Sequence, residues 1–325
     1  VSIKIYNYQT GKVRLYNDNQ ISDEYTHCIP LHRVIMRWFA YNGDADGICS
    51  MVQWGLVHGI EGKRITGVKR DIELLRKVFA KEGDELVVMD ISLARNASLA
   101  SDFERNGVKI QWFDHHLAGS YKGNIDTYID NSPSVCTAII VQEYLGVKSN
   151  WSQVALHGDG LSDVSNMPSL KELGELLNYN GYGKDISDLH FHPDNLLLSC
   201  MQAKTPEIFQ ETKEFEILKK GFAKDIEKSE SISLRDGAYI LPNEAWARRV
   251  VGVFAHRINS EGSGPHVIAI EKEGSYQISL RGQSGIGELC AMFGGGGRET
   301  AGGIDNLPKE DMAALMNEVD TRRDK

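Results

Sequence analysis

Cysteine is scarce in this chain and nowhere paired. Cys28, Cys49, Cys136, Cys200 and Cys290 are odd in number, scattered and free of any CxxC step. That argues against a disulfide framework and a cysteine-rich zinc site, and for a reducing compartment. No apolar run approaches the roughly 20 residues of a membrane span, and residues 1–20 lack a signal-peptide core. The expectation is a cytoplasmic protein without a membrane partner. Positive charge is not in excess either: 36 Lys plus Arg stand against 45 Asp plus Glu, a net charge of -9, with no long basic run. Proteins that track nucleic-acid backbones carry a basic face. A long duplex partner is therefore not expected, although a few local arginines suffice to hold a small anion. Heptads, a solenoid period and a low-complexity tail are also missing.

What is present is an ordinary globular composition, 41% hydrophobic and 25% charged over 325 residues, a length that favours two domains. Residues 1–33 read as an added hairpin, "IKIYNY" and "KVRLYN" around Gln9–Thr10–Gly11. From Val34 strand and helix patterns alternate, as a parallel sheet with crossover helices requires. "VIMRWFAY", "RITGVK", "ELVVMDIS" and "VKIQWFDHH" are the strands; "GICSMVQWGLVHG", "DIELLRKVFAKEG" and "ARNASLASDFERNG" are the helices. "PSVCTAIIVQEYLG" and "WSQVALHGDGLSD" are helical or mixed, and residues 166–200 lose their period and read as a connecting region. The boundaries expected are a catalytic α/β domain over 34–200, a helical connector over 201–236, and a smaller α/β domain over 237–325. In that last block "AYILP", "HVIAIEKE" and "YQISLRG" are strands, followed by "IGELCAMF", the run "GGGG" and a final helix "KEDMAALMNEV".

Ligands of open α/β sheets bind outside the carboxyl ends of the strands, and there the chemistry collects: Asp44, Asp46, Asp90, Asp114, His115 and His116. Alone, Asp44 and Asp46 are turn formers, with Asp46 a natural cap for a helix beginning at Gly47. "WFDHH" and the lone acid of "VVMDIS" are harder to explain structurally. Carboxylates plus imidazole without thiolate suit Mn²⁺ or Mg²⁺. Two such ions about 3.5 to 4 Å apart clamp a phosphate and activate water, and a bridging carboxylate, for which Asp90 is the candidate, holds them at that separation.

The ordered series "NGDADGICS", "VVMDIS", "WFDHH" and "HGDGLSD" resembles the four N-terminal motifs of the DHH phosphoesterase superfamily, and "ISLRGQSGIGELCAMFGGGGRETAGG" resembles its accessory domain. The resemblance covers about Val34 to Gly303. It implies a parallel-sheet DHH domain and a substrate-binding domain with the active site in the cleft between them. It further implies a cofactor of two Mn²⁺ ions, with Mg²⁺ as the other candidate. Asp44 and Asp46 would each bind a different ion, Asp90 would bridge, and His115 and Asp159 would complete the ligands, with Asp163 the competitor of Asp159. His116 would reach the phosphate or leaving group, and Asp114 would orient an imidazole. One departure stands out: Ala40 occupies a position, four residues before Asp44, where many members carry histidine, leaving the Asp44 ion to water, Asn42 or another residue.

Gly295, Gly296 and Gly297 are candidate phosphate binders. Consecutive glycines before a helix turn several amides towards an anion with the helix dipole behind them. Arg298, where the family often has histidine, adds a guanidinium fork, and Arg281 is a second candidate with an exposed strand-end arginine as its plain alternative. His190 and His192 of "DLHFHPD" read as structural or lid residues. With no basic groove or stacking module, short nucleotides are the expected substrates, and the resemblance to compact two-domain DHH proteins implies foremost linear 5′-phosphorylated dinucleotides such as pGpG or pApA. The alternatives are a RecJ-like single-strand exonuclease, a pAp-type phosphatase and a nucleotide-binding regulator without catalysis. A homodimer is compatible with the sequence.

Overall fold

The computed structural model describes residues 3–7, 12–17, 20–22, 35–161, 167–261 and 265–323, in two units, Val1–Ile35 and Met36–Lys325. In the first unit the alternating segments form β1 (Ile3–Asn7) and β2 (Lys12–Asn17), the expected hairpin. A short β3 (Gln20–Ser22) extends it into an antiparallel sheet.

The second unit begins with β4 (Arg37–Tyr41), α1 (Ala45–His58), β5 (Lys63–Ile65), β6 (Glu85–Met89), α2 (Leu93–Arg105), β7 (Lys109–Asp114) and β8 (Asp126–Ile129). The five strands pair in the order β5-β4-β6-β7-β8, all parallel. Both faces are covered, as a parallel sheet demands. Phe39, Tyr41, Val87, Met89 and Phe113 enter one core, and Ala40, Leu86, Val88, Ile110 and Trp112 the other. The register aligns Tyr41 with Met89 and Met89 with Phe113. Asp90 and Asp114 therefore leave neighbouring strands at the same level.

Two expectations fail between these strands and beyond them. Residues 71–83 are not a helix: a single 3₁₀ turn, Leu74–Lys77, is all that forms. Leu74, Leu75 and Val78 are buried but Phe79 is 71% exposed, too narrow an apolar stripe to stabilise a full helix by packing. Residues 166–200 are not a connecting region. After α3 (Thr137–Leu145) and α4 (Asn150–Gly158), they build α5 (Pro168–Gly181) and most of α6 (Pro193–Ala203). The period of α5 is hidden because it buries amides along with leucines. Asn180 takes the backbone N–H of Phe191 at 3.0 Å and gives a hydrogen bond to its carbonyl at 2.9 Å, so a polar residue sits in the core fully paired. α7 (Pro206–Phe209) and α8 (Lys213–Glu230) follow, and Phe209, Phe215 and Leu218 complete the same core.

The remaining elements are β9 (Leu234–Arg235), β10 (Ala238–Leu241), α9 (Ala245–Glu261), β11 (His266–Glu271), β12 (Ser275–Arg281), α10 (Ile286–Met292), β13 (Gly296–Arg298), β14 (Ala301–Pro308) and α11 (Met312–Arg323). Their strands form a mixed sheet, β13-β14-β12-β11-β10-β9, in which only β10 and β11 run parallel. The α/β architecture with two sheets is thus as the sequence implies. Buried ion pairs tie α9 to α8 and to the turn before α6: Arg249 binds Asp225 of α8 at 2.6 Å, and Arg248 binds Asp188 through two nitrogens at 2.6 and 2.7 Å.

The glycine run corrects another expectation. It does not open a helix: α10 precedes it, and Gly296, Gly297 and Arg298 are β13, lying opposite Gly303, Gly302 and Ala301. A Cβ at Gly295 would collide with the carbonyl of Gly303, and one at Gly297 with that of Ala301. Here glycine is needed for close strand approach rather than for a helix-backed anion nest. Arg281 and the backbone of Arg298 both pair with Ala301, so the two candidate arginines stand on either side of β14 at one level.

Candidate metal centre

The four motif segments meet at the carboxyl ends of β4, β6 and β7. Asp44, not Asp46, caps α1: its Oδ1 accepts from the N–H of Gly47 at 3.1 Å. The turn that carries both acids is closed on either side. A Cβ at Gly43 would strike the carbonyl of Gly67, and one at Gly47 the carbonyl of Asn42. Asp46, one step into the helix and fully buried, is gripped by a second helix: Thr137 N–H and Ala138 N–H, in the first turn of α3, donate to its two oxygens at 2.8 Å each. A helix N-terminus favours a carboxylate there. Asp90 follows β6 with φ of 56°, a left-handed backbone uncommon outside glycine but better tolerated by Asp and Asn. Its N–H is held by the carbonyl of Phe113 at 3.0 Å.

His115 lies at the middle of the cluster. Its Nδ1 is 3.1 Å from the carbonyl of Val135, which as an acceptor fixes the hydrogen on that nitrogen and leaves Nε2 with a lone pair. Nε2 faces Asp90 Oδ1 and Asp159 Oδ2 at 3.6 Å and Asp46 Oδ2 at 3.9 Å. These separations are too long for hydrogen bonds. The neighbouring His116 has Nδ1 on Asp114 Oδ1 at 2.7 Å, and the same oxygen accepts the N–H of His115 at 2.9 Å. Asp114 is fully buried while His116 is half exposed. Asp159 closes α4; Asp163 lies outside the described residues.

Two residues that the sequence reading missed complete the cluster. Lys69, at the end of the segment read as "RITGVK", ion-pairs with Asp44 Oδ2 and reaches Asp159 Oδ1 at 3.4 Å. Asn178 on α5 accepts the N–H of Ala45 at 3.0 Å and donates to the carbonyl of Gly158, clamping the first and last motifs together. Lys69 ends a strand pattern just as the acids do, which was the available signal. Asn178 had none. His190 and His192, by contrast, stand elsewhere: His190 Nε2 meets the Tyr179 hydroxyl at 2.6 Å, and His192 caps α6.

The electrostatics are those of crowded, buried acids. Burial raises the Asp46 pKa, and the Asp159 charge adds to it, giving about 6. Burial, with Asp44, Asp46 and Asp159 close by, holds Asp90 well above the carboxylate range. Burial works against Asp44 as well, yet Lys69 outweighs it and keeps that carboxyl below its usual range. Carboxylates crowded around an imidazole lone pair, at distances that no hydrogen bond satisfies, fit a divalent cation with oxygen and nitrogen ligands. Among the described residues two groupings have that geometry, Asp46–His115–Asp159 and Asp90–His115–His116.

No family model and no curated protein matches the chain. Among solved structures it is similar to the pGpG-specific phosphodiesterase PggH from Vibrio cholerae (14% identity, TM-score 0.57), covering 89% of this chain and 99% of that one. RecJ in complex with Mn²⁺ from Thermus thermophilus gives 16% identity and a TM-score of 0.55, over 89% of this chain and 52% of that one. The DHH domain of a member of the s1p family of ribosomal proteins gives 12% identity and a TM-score of 0.60, over 88% and 86%. The fold is therefore the DHH fold.

Proposed function

We propose that this chain is a divalent-cation-dependent phosphodiesterase that hydrolyses short 5′-phosphorylated oligonucleotides, foremost linear dinucleotides such as pGpG or pApA, to mononucleotides. The observation that carries the reading is the His115 Nε2 lone pair, set among Asp46, Asp90 and Asp159 at 3.6 to 3.9 Å. These four residues would hold the cation, Mn²⁺ or Mg²⁺. When bound, such a cation lowers the pKa of a water molecule and polarises a phosphoryl oxygen. The rest falls to the chain. Val135 holds His115 in the tautomer that offers Nε2. Asp114 holds the Nδ1 side of His116, leaving its Nε2 to carry a proton to a phosphoryl or leaving oxygen. Burial opposes the charge of His116, but the hydrogen bond that its Nδ1 donates to Asp114, with the charge of that carboxylate, raises its pKa overall, which suits a proton donor. Arg281 and Arg298, on either side of Ala301 of β14, are the proposed grip on the substrate's phosphate end.

The likeness to PggH over nearly all of that protein supports a substrate of dinucleotide length, and the net charge of -9 supports the same choice against a long polyanion. A RecJ-like exonuclease is the second reading, supported by the RecJ likeness. Turnover of two- to five-nucleotide substrates, a long single strand and phosphoadenosine phosphate, each with Mn²⁺, separates them. The expected result is a rate at least tenfold higher on the dinucleotide than on the long strand. Equal rates would establish the exonuclease, preference for phosphoadenosine phosphate the phosphatase, and tight binding without turnover a regulator.

A further inference from the structure

The cluster already contains a cation of its own. Lys69 Nζ touches Asp44 Oδ2 and stands 3.4 Å from Asp159 Oδ1, spanning two carboxylates that a metal ion would otherwise have to neutralise. The lysine is built into this position. Its N–H donates to the carbonyl of Gly181 at 2.8 Å, its own carbonyl accepts from Asn42 Nδ2 at 3.3 Å, and its ammonium lies 5.7 Å from the centre of the Tyr182 ring. Asp44 is fully engaged: one oxygen caps α1 and the other meets Lys69. Asn42 donates its amide nitrogen to the Lys69 carbonyl and keeps a buried Oδ1 with no hydrogen-bond partner, and Ala40, buried in the sheet's second core, supplies no ligand atom.

The carboxylate and imidazole donors that remain converge on one imidazole nitrogen, His115 Nε2. Among the described residues, both groupings that bring three ligand atoms together include His115. Its Nδ1 is occupied by Val135, so a single lone pair must serve either grouping, and Asp44 belongs to neither.

We propose that Lys69 takes the place of one of the two cations that the motif series implies, so that this chain holds a single divalent ion, on the His115 side of the cluster. The inference rests on the metal-dependent reading above and fixes its stoichiometry. A fixed ammonium neutralises a carboxylate pair but has no open coordination position, so phosphate would meet one metal ion and one lysine in place of a two-ion clamp.

The test is metal counting on the full chain after equilibrium dialysis against Mn²⁺, with electron paramagnetic resonance on the same samples. Wild type is expected to retain one Mn²⁺ per chain with the hyperfine pattern of an isolated ion. Lys69→Ala is expected to double the count and give the broadened spectrum of a coupled pair. Lys69→Gln, which keeps most of the side-chain volume, is measured alongside in case the alanine variant does not fold. Two ions per wild-type chain would overturn the inference and leave the phosphodiesterase reading standing. A count of one in every folded variant would overturn the role of Lys69. No bound Mn²⁺ in any of the proteins would overturn both readings.

Discussion

Replacing Asp90 by Asn is expected to abolish hydrolysis while raising the melting temperature of the metal-free protein. The two effects have one cause. Asp90 is buried beside Asp44, Asp46, Asp114 and Asp159, where a negative charge is useful to a cation and costly without one. Its pKa is raised in the folded state. The stability it contributes is therefore fully present below the unfolded value of about 3.9 and lost as pH rises through the folded value. At neutral pH without metal the ionised carboxylate destabilises the fold, and Asn removes that charge at nearly constant shape. Asn also accepts the left-handed backbone that the position demands. Calorimetry of dialysed protein with and without Mn²⁺ reads the outcome. Wild type gains stability on adding the ion, because a ligand that binds only the folded state raises its stability. The variant starts a few degrees higher at pH 7 and gains little. Its affinity for Mn²⁺ falls by more than the roughly 10- to 100-fold that removing a supporting residue costs. An undiminished Mn²⁺ shift in Asp90→Asn would remove Asp90 from the ligand set.

The second large effect separates metal binding from proton transfer. His116→Ala is expected to lower kcat by about 10²- to 10⁴-fold, the usual worth of a positioned acid or base, with Mn²⁺ content unchanged. His116 is the half-exposed member of the cluster, held through Nδ1 by a buried carboxylate, and its loss creates no core cavity. Asp114→Asn should do less: the imidazole stays, but its pKa falls back and the descending limb of the kcat–pH profile moves to lower pH. Loss of Mn²⁺ from the His116→Ala protein would make this histidine a ligand, in the Asp90–His115–His116 grouping, rather than a proton carrier.

Much of this arrangement is legible in the sequence because parallel strands advertise themselves. Runs such as "ELVVM" and "KIQWF" are buried on both faces, and an acid or imidazole that follows one must stand at the sheet's carboxyl edge. Asp90, Asp114 and His115 are readable for that reason. The misreadings occur where tertiary contacts replace a local pattern. Helix α5 escapes notice because Asn178 and Asn180 interrupt its apolar stripe, and their partners, Ala45, Gly158 and Phe191, are distant in sequence. Helix periodicity over 71–83 misleads in the opposite direction, since the residues that make it up find too little core to pack against. Asp46 looks like a helix cap until α3 folds onto it. Lys69 is hidden for the plainest reason: a lysine after a short strand is ordinary until its ammonium is seen between Asp44 and Asp159.

The turn that carries Asp44 and Asp46 is bracketed by Gly43 and Gly47, each lying against a backbone carbonyl, one from the Gly67 loop and one from its own turn. In manufacturing terms the two acids are mounted in a jig: main-chain contact on both sides fixes where their backbones stand, and α3 and Lys69 then clamp the two side chains. Sequence can therefore drift at outer positions without moving the two backbones, whereas any side chain at Gly43 or Gly47 would push the turn off its neighbour.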